Sequence, residues 1–88
     1  MTRSIQLIAR DIVADMALQG LQQKKPIKWK EKYPYAAPYI EAMREIDKIS
    51  DNFYKDSGSD IIQRFLCNAN QWRGATARSI KAELKAML

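Results

Sequence analysis

Apolar residues recur at helical spacing in four stretches, and none follows the two-residue alternation of a half-buried strand. From residue 4 to 19, Ile5, Ile8, Ile12 and Met16 fall at intervals of three and four, with Ala9 and Val13 beside them. This predicts a helix with one buried stripe. Ser4 is placed to cap its start and Gly20 to end it. Leu7 and Leu18 fall on the opposite side, so this helix is expected either to be covered twice within the domain or to meet another chain. A homodimer is the favoured reading, because 88 residues leave little core to cover two faces of one helix.

The second pattern spans 38–54. Pro38 suits a first helical turn, and Tyr39, Ala42, Met43, Ile46, Ile49 and Phe53 form a broad stripe opposite Glu41, Arg44, Glu45, Lys48 and Asp51. Asp51 and Lys55 are expected to pair at i,i+4. Residues 55–60 read as a turn, in which Ser57 and Asp60 fit a capping box and Ser59 is an alternative cap. A third helix then runs to about Trp72, with Ile61, Ile62, Phe65, Leu66, Ala69 and Trp72 inward. Gly74 separates it from a last helix over 75–87, where Ala77, Ile80, Leu84 and Met87 face one way and Arg78, Lys81 and Lys85 line another flank. The rhythm is lost over 21–37, where Pro26, Pro34 and Pro38 push their predecessors out of helical geometry. This is the longest irregular stretch, with room for a short helical turn from Lys28 to Lys32. The predicted fold is all-α: a single domain over 1–88 of three to four helices in a compact orthogonal bundle. Its core holds Ile8, Ile12, Met43, Ile46, Phe53, Ile61, Phe65, Ile80 and Leu84.

Composition narrows the function classes. The chain has no histidine, which removes the commonest general base and nitrogen ligand, and its three glycines are too scattered for a phosphate loop. A lone cysteine cannot build a zinc site, and Cys67, beside the apolar face of its helix, is expected to be buried and structural. No enzyme, cofactor or metal is expected. Arg10, Asp11 and Asp15 interrupt any signal-peptide core, and no apolar run reaches the length of a membrane span. With one cysteine, a reducing cytoplasmic location and no membrane partner are the expectation.

The net charge of +5 is unevenly placed: residues 1–37 carry seven basic and three acidic side chains, 38–60 three and six, and 61–88 five and one. The acidic middle can close on the basic ends within one molecule or across a two-fold axis. Two surfaces are candidates for an acidic partner. One is the segment KKPIKWKEKYPY, where Lys24, Lys25, Lys28, Lys30 and Lys32 supply attraction and Trp29, Tyr33 and Tyr35 supply contact or stacking area. The other is a helix-turn-helix-like unit over 60–86, with Arg73, Thr76, Arg78 and Ser79 near the start of its second helix and Lys81 and Lys85 further on. Its spacing departs from the motif at Asn70 and Glu83.

Two resemblances add to this reading. Phe65-Leu66, Asn68-Ala69, Trp72-Arg73-Gly74, Thr76-Ala77-Arg78 and Ile80-Lys81-Ala82-Glu83-Leu84 together resemble the C-terminal end of small uncharacterised proteins of enteric bacteriophages and prophages. The likeness covers about a quarter of the chain and implies a phage accessory protein, with no activity attached. IKWKEKY and PYIEAMRE are similar to a helical stretch of the theta subunit of bacterial DNA polymerase III, a small non-catalytic subunit, although PYAA intervenes and the preceding residues do not match. The expected function is a non-enzymatic phage or prophage accessory protein that binds a host or phage protein. The alternative is a DNA-binding protein using the 60–86 unit and the basic surfaces.

Overall fold

The stripe of Ile5, Ile8, Ala9, Ile12 and Met16 is fully buried, and α1 (Ile5–Gln22) forms around it. The computed structural model of the protein describes residues 3–22 and 29–88, with the side chains of residues 20–22 and 29 outside that description. α1 runs through Gly20 rather than ending there. Ser4 does not act as its side-chain cap: its hydroxyl hydrogen-bonds the Asp47 carboxylate, while the Asp47 carbonyl accepts from Ile5 N–H at 2.9 Å. A one-turn helix α2 (Trp29–Lys32) and a bend at Tyr33 lead into α3 (Ala37–Met43), with Pro38 in its first turn. α4 (Gly58–Asn68) starts where the capping box was expected, with Ser57 Oγ accepting from Asp60 N–H at 3.1 Å; α5 (Ala75–Met87) follows Gly74.

The helix expected over 38–54 stops at Met43. Its apolar stripe still serves the core, since Ile46 is buried and Ile49 and Phe53 are partly so, but the backbone takes another path. The Asp51 carboxylate accepts from the N–H groups of Asp47 and Lys48, both at 3.0 Å, capturing donors that a continued helix would turn toward its own carbonyls. The expected Asp51–Lys55 pair is therefore absent. Where no strand was expected, a hairpin forms, β1 (Asn52–Phe53) pairing antiparallel with β2 (Asp56–Ser57). Gly58 follows because nothing larger fits: a Cβ there would lie 2.6 Å from the Ile49 carbonyl oxygen.

The packing is mostly helical, as the periodicity predicts, with one small hairpin added. α4 lies on α3, α1 on α3 and on α5, and one core joins Ile8, Ile12, Met43, Ile46, Ile61, Phe65, Ile80 and Leu84. Leu7 and Leu18, on the far side of α1, stay exposed. Among the described residues no helix is long and apolar enough to cross a membrane.

Candidate functional site

Residues 69–74 join α4 to α5 and are held from both sides. Trp72, expected as the last turn of a helix, lies beyond it yet is fully buried, its ring centroid 6.2 Å from that of Phe65. Its indole N–H donates to Asp15 Oδ2 at 2.7 Å. The Gln19 amide donates to the same oxygen at 2.9 Å and to the Arg73 carbonyl at 3.0 Å, and its own oxygen accepts from the Tyr33 hydroxyl at 3.3 Å. From the other side, Lys81 Nζ donates to the carbonyls of Ala69 at 2.8 Å and Trp72 at 2.7 Å and sits 5.8 Å from the Trp72 ring centroid. An ammonium at a helix C-terminus satisfies carbonyls that have lost their helical donors. Gly74, at φ +122°, takes a backbone conformation that side chains resist, and so allows α5 to start.

α5 sorts its side chains by flank. Ala77, Ile80 and Leu84 face the core. On one side Glu83 is gripped by the fork of Arg3, with Nε to Oε2 at 3.0 Å and Nη2 to Oε1 at 2.8 Å, and Arg3 also pairs with Asp11. Hydrogen bonding to Arg3 holds the Glu83 carboxyl below its ordinary range. The one acid of α5 is thereby turned toward α1. On the other side lie Arg78, Lys81 and Lys85, with Arg73 just before the helix. Burial first, and then the charges of Arg73 and Lys85, push the Lys81 ammonium down. No carboxylate of the described residues lies within ion-pairing distance of Arg73, Arg78 or Lys85, and all three are exposed. Trp72, Arg73, Gly74, Ala77, Arg78 and Lys81 line an open groove of about 290 Å³ along this flank.

The lysine–aromatic segment is divided. Lys24, Lys25, Lys28 and the side chain of Trp29 lie outside the described residues. Lys30 Nζ is 3.1 Å from Glu41 Oε1. Lys32 is half-buried, its ammonium 5.6 Å from the Tyr33 ring centroid. Tyr33 belongs to the core at 3% exposure, and burial raises its pKa, so its ring offers no stacking platform. Tyr35, in contrast, is 78% exposed. It borders a second groove, about 220 Å³, shared with Tyr33, Pro34, Cys67, Asn68, Asn70 and Gln71. Cys67 is exposed there and not buried: α4 ends one residue later, so the position beside the apolar stripe faces outward. The amides were missed in the sequence. The signal that could have found them is the run Asn68-Ala69-Asn70-Gln71, polar residues gathered where a helix was expected to continue.

Two further features bear on the choice of partner. The acidic middle meets the basic ends within the molecule at Lys30–Glu41, 3.1 Å, and Arg64–Asp56, 3.9 Å, and neither contact reaches the α5 flank. A helix-turn-helix joins its helices by three or four residues and packs them on one another. Here six residues intervene, and α4 packs on α3 while α5 packs on α1. Among the described residues no group of three or more metal-ligating side chains converges. No family model, curated protein or solved structure matches the chain.

Proposed function

We propose that the chain is a non-enzymatic binding protein, a phage or prophage accessory protein that docks an acidic surface of a host or phage protein on the α5 flank. The observation that carries this is the row Arg73, Arg78 and Lys85, exposed and without a carboxylate of the described residues in pairing range. Desolvating such a row costs least against carboxylates, and like charges held together attract an anionic surface at long range. The rigid hold of Lys81, Gln19 and Asp15 on residues 69–74 supports the reading, because a preorganised surface loses little entropy on binding.

Nucleic acid is the second reading, favoured by Arg73 and Arg78 flanking the first turn of α5. Each phosphate neutralised would release counterions, so duplex binding through this flank would weaken steeply with salt. The two readings separate in a titration of labelled duplex DNA and of a labelled glutamate-rich peptide over a range of salt. The proposal expects the peptide to bind more tightly than the duplex throughout. Duplex binding that exceeds the peptide's, with a steep loss in salt, rejects it.

A further inference from the structure

We infer that the groove beside Tyr35 is a side-chain pocket that takes one aromatic or large apolar residue of an acidic peptide lying along the α5 flank, an inference that rests on the reading of that flank as the contact surface. The groove and the flank are not separate places. Asn70 and Gln71 line one, Trp72 and Arg73 line the other, and the four are consecutive. Two residues of chain span at most about 7 Å, so an anchor in the groove leaves acids two to four residues away within reach of Arg73 and Arg78.

Size selects the occupant. At about 220 Å³ the groove is smaller than the roughly 300–1,000 Å³ of cofactor and small-molecule sites, and suits a single side chain. Its walls differ in chemistry. Pro34 and the exposed ring of Tyr35 make an apolar side against which another ring can pack. Opposite, Asn68 Nδ2 donates to the Arg64 carbonyl at 2.7 Å and Asn70 Nδ2 to the Cys67 carbonyl at 3.2 Å. With their amide nitrogens turned to the protein, both side chains have oxygens left to accept, and a peptide backbone brings the matching N–H groups. Single-stranded nucleic acid would instead need a row of exposed rings for successive bases. Among the described residues one exposed ring, Tyr35, stands in the groove, and Tyr33 is inside the core.

The test uses three fluorescein-labelled probes: a glutamate-rich peptide with one central tryptophan, the same peptide with alanine in its place, and oligothymidylate. The tryptophan peptide is expected to bind on the order of tenfold more tightly than the alanine peptide, the effect of one well-packed anchor. Tyr35→Ala combined with Gln71→Ala should erase that advantage while leaving the alanine peptide's affinity intact. Both positions are exposed, so the fold should hold. Arg73→Ala with Arg78→Ala should weaken both peptides. Cys67 gives an independent readout: iodoacetamide should alkylate it more slowly under saturating tryptophan peptide than under saturating alanine peptide. Equal affinity of the two peptides overturns the pocket and leaves the flank reading standing. So does a tryptophan advantage that survives the groove variant. Oligothymidylate binding more tightly than the tryptophan peptide overturns the peptide as occupant, and failure of both peptides to bind overturns the flank and the pocket together.

Discussion

Lys30 and Arg78 are both exposed cations in basic runs, yet Lys30 lies 3.1 Å from the Glu41 carboxylate and Arg78 has no described carboxylate in pairing range. The same contrast extends to the aromatics beside them. Tyr33 is absorbed into the core with its hydroxyl on Gln19, and Trp72 is absorbed with its indole on Asp15. What differs is what each burial leaves outside. Burying Trp72 fixes a connection from which Arg73 projects and behind which Arg78 and Lys85 follow at helical spacing. Burying Tyr33 leaves Lys32 half-buried against its own neighbour and Tyr35 exposed. Among the described residues, then, the α5 flank keeps more free charge than the stretch that looks richer in the sequence.

The heaviest blow to this contrast is Trp72→Ala. It should cost about 3–5 kcal/mol and in a domain this small abolish the cooperative transition in chemical denaturation. Tyr35→Ala should shift the same transition by less than about 0.5 kcal/mol. Next is Lys81→Met, which keeps the stem but strips the Trp72 carbonyl of its donor and leaves the Ala69 carbonyl only the Trp72 N–H, at 3.1 Å. A loss of about 1–3 kcal/mol is expected by denaturation, against near-neutrality for Lys85→Met on the same flank. Lys30→Ala should cost no more than about 1 kcal/mol, since the Lys30 side chain is exposed and Glu41 only half-buried.

The smallest effect is on pH dependence. Glu83 is held below its ordinary value of 4.5 by Arg3, so its contribution is complete above that value and is lost as pH falls through the lowered folded value. Asp51, lowered by the Lys48 and Asp47 N–H groups, acts in the same direction. Thermal melts through the acid range should fall accordingly, and Arg3→Ala should flatten the part due to Glu83.

Much of this was legible in the chain. The stripes of α1, α4 and α5 are local periodicities, and Ser57 with Asp60 marks the start of α4 by side-chain chemistry alone. What was hidden depends on side chains that compete for backbone groups and on a few partners far away in sequence. The 38–54 stripe does reach the core, but Asp51 captures two backbone donors three and four residues back, a local competition that periodicity does not record, and Gly58 approaches the Ile49 carbonyl closely. The end of α4 is similar. Asn68 and Asn70 divert donors to carbonyls one turn back, and Lys81 supplies the terminal carbonyl from twelve residues away. The basic flank of α5 could be read from spacing. That Arg3 removes Glu83 from it, and that the groove at Tyr35 adjoins it, could not.

The most direct test of the contrast is one fluorescence-anisotropy titration of a labelled glutamate-rich peptide against three proteins: the parent, Arg73→Ala/Arg78→Ala, and Lys30→Ala/Lys32→Ala. All should be folded by circular dichroism. The α5 double variant is expected to lose on the order of tenfold or more in affinity, and the lysine double variant no more than about twofold, as screened and partly paired charges should. The reverse order, with the lysine variant crippled and the α5 variant binding like the parent, would contradict the account.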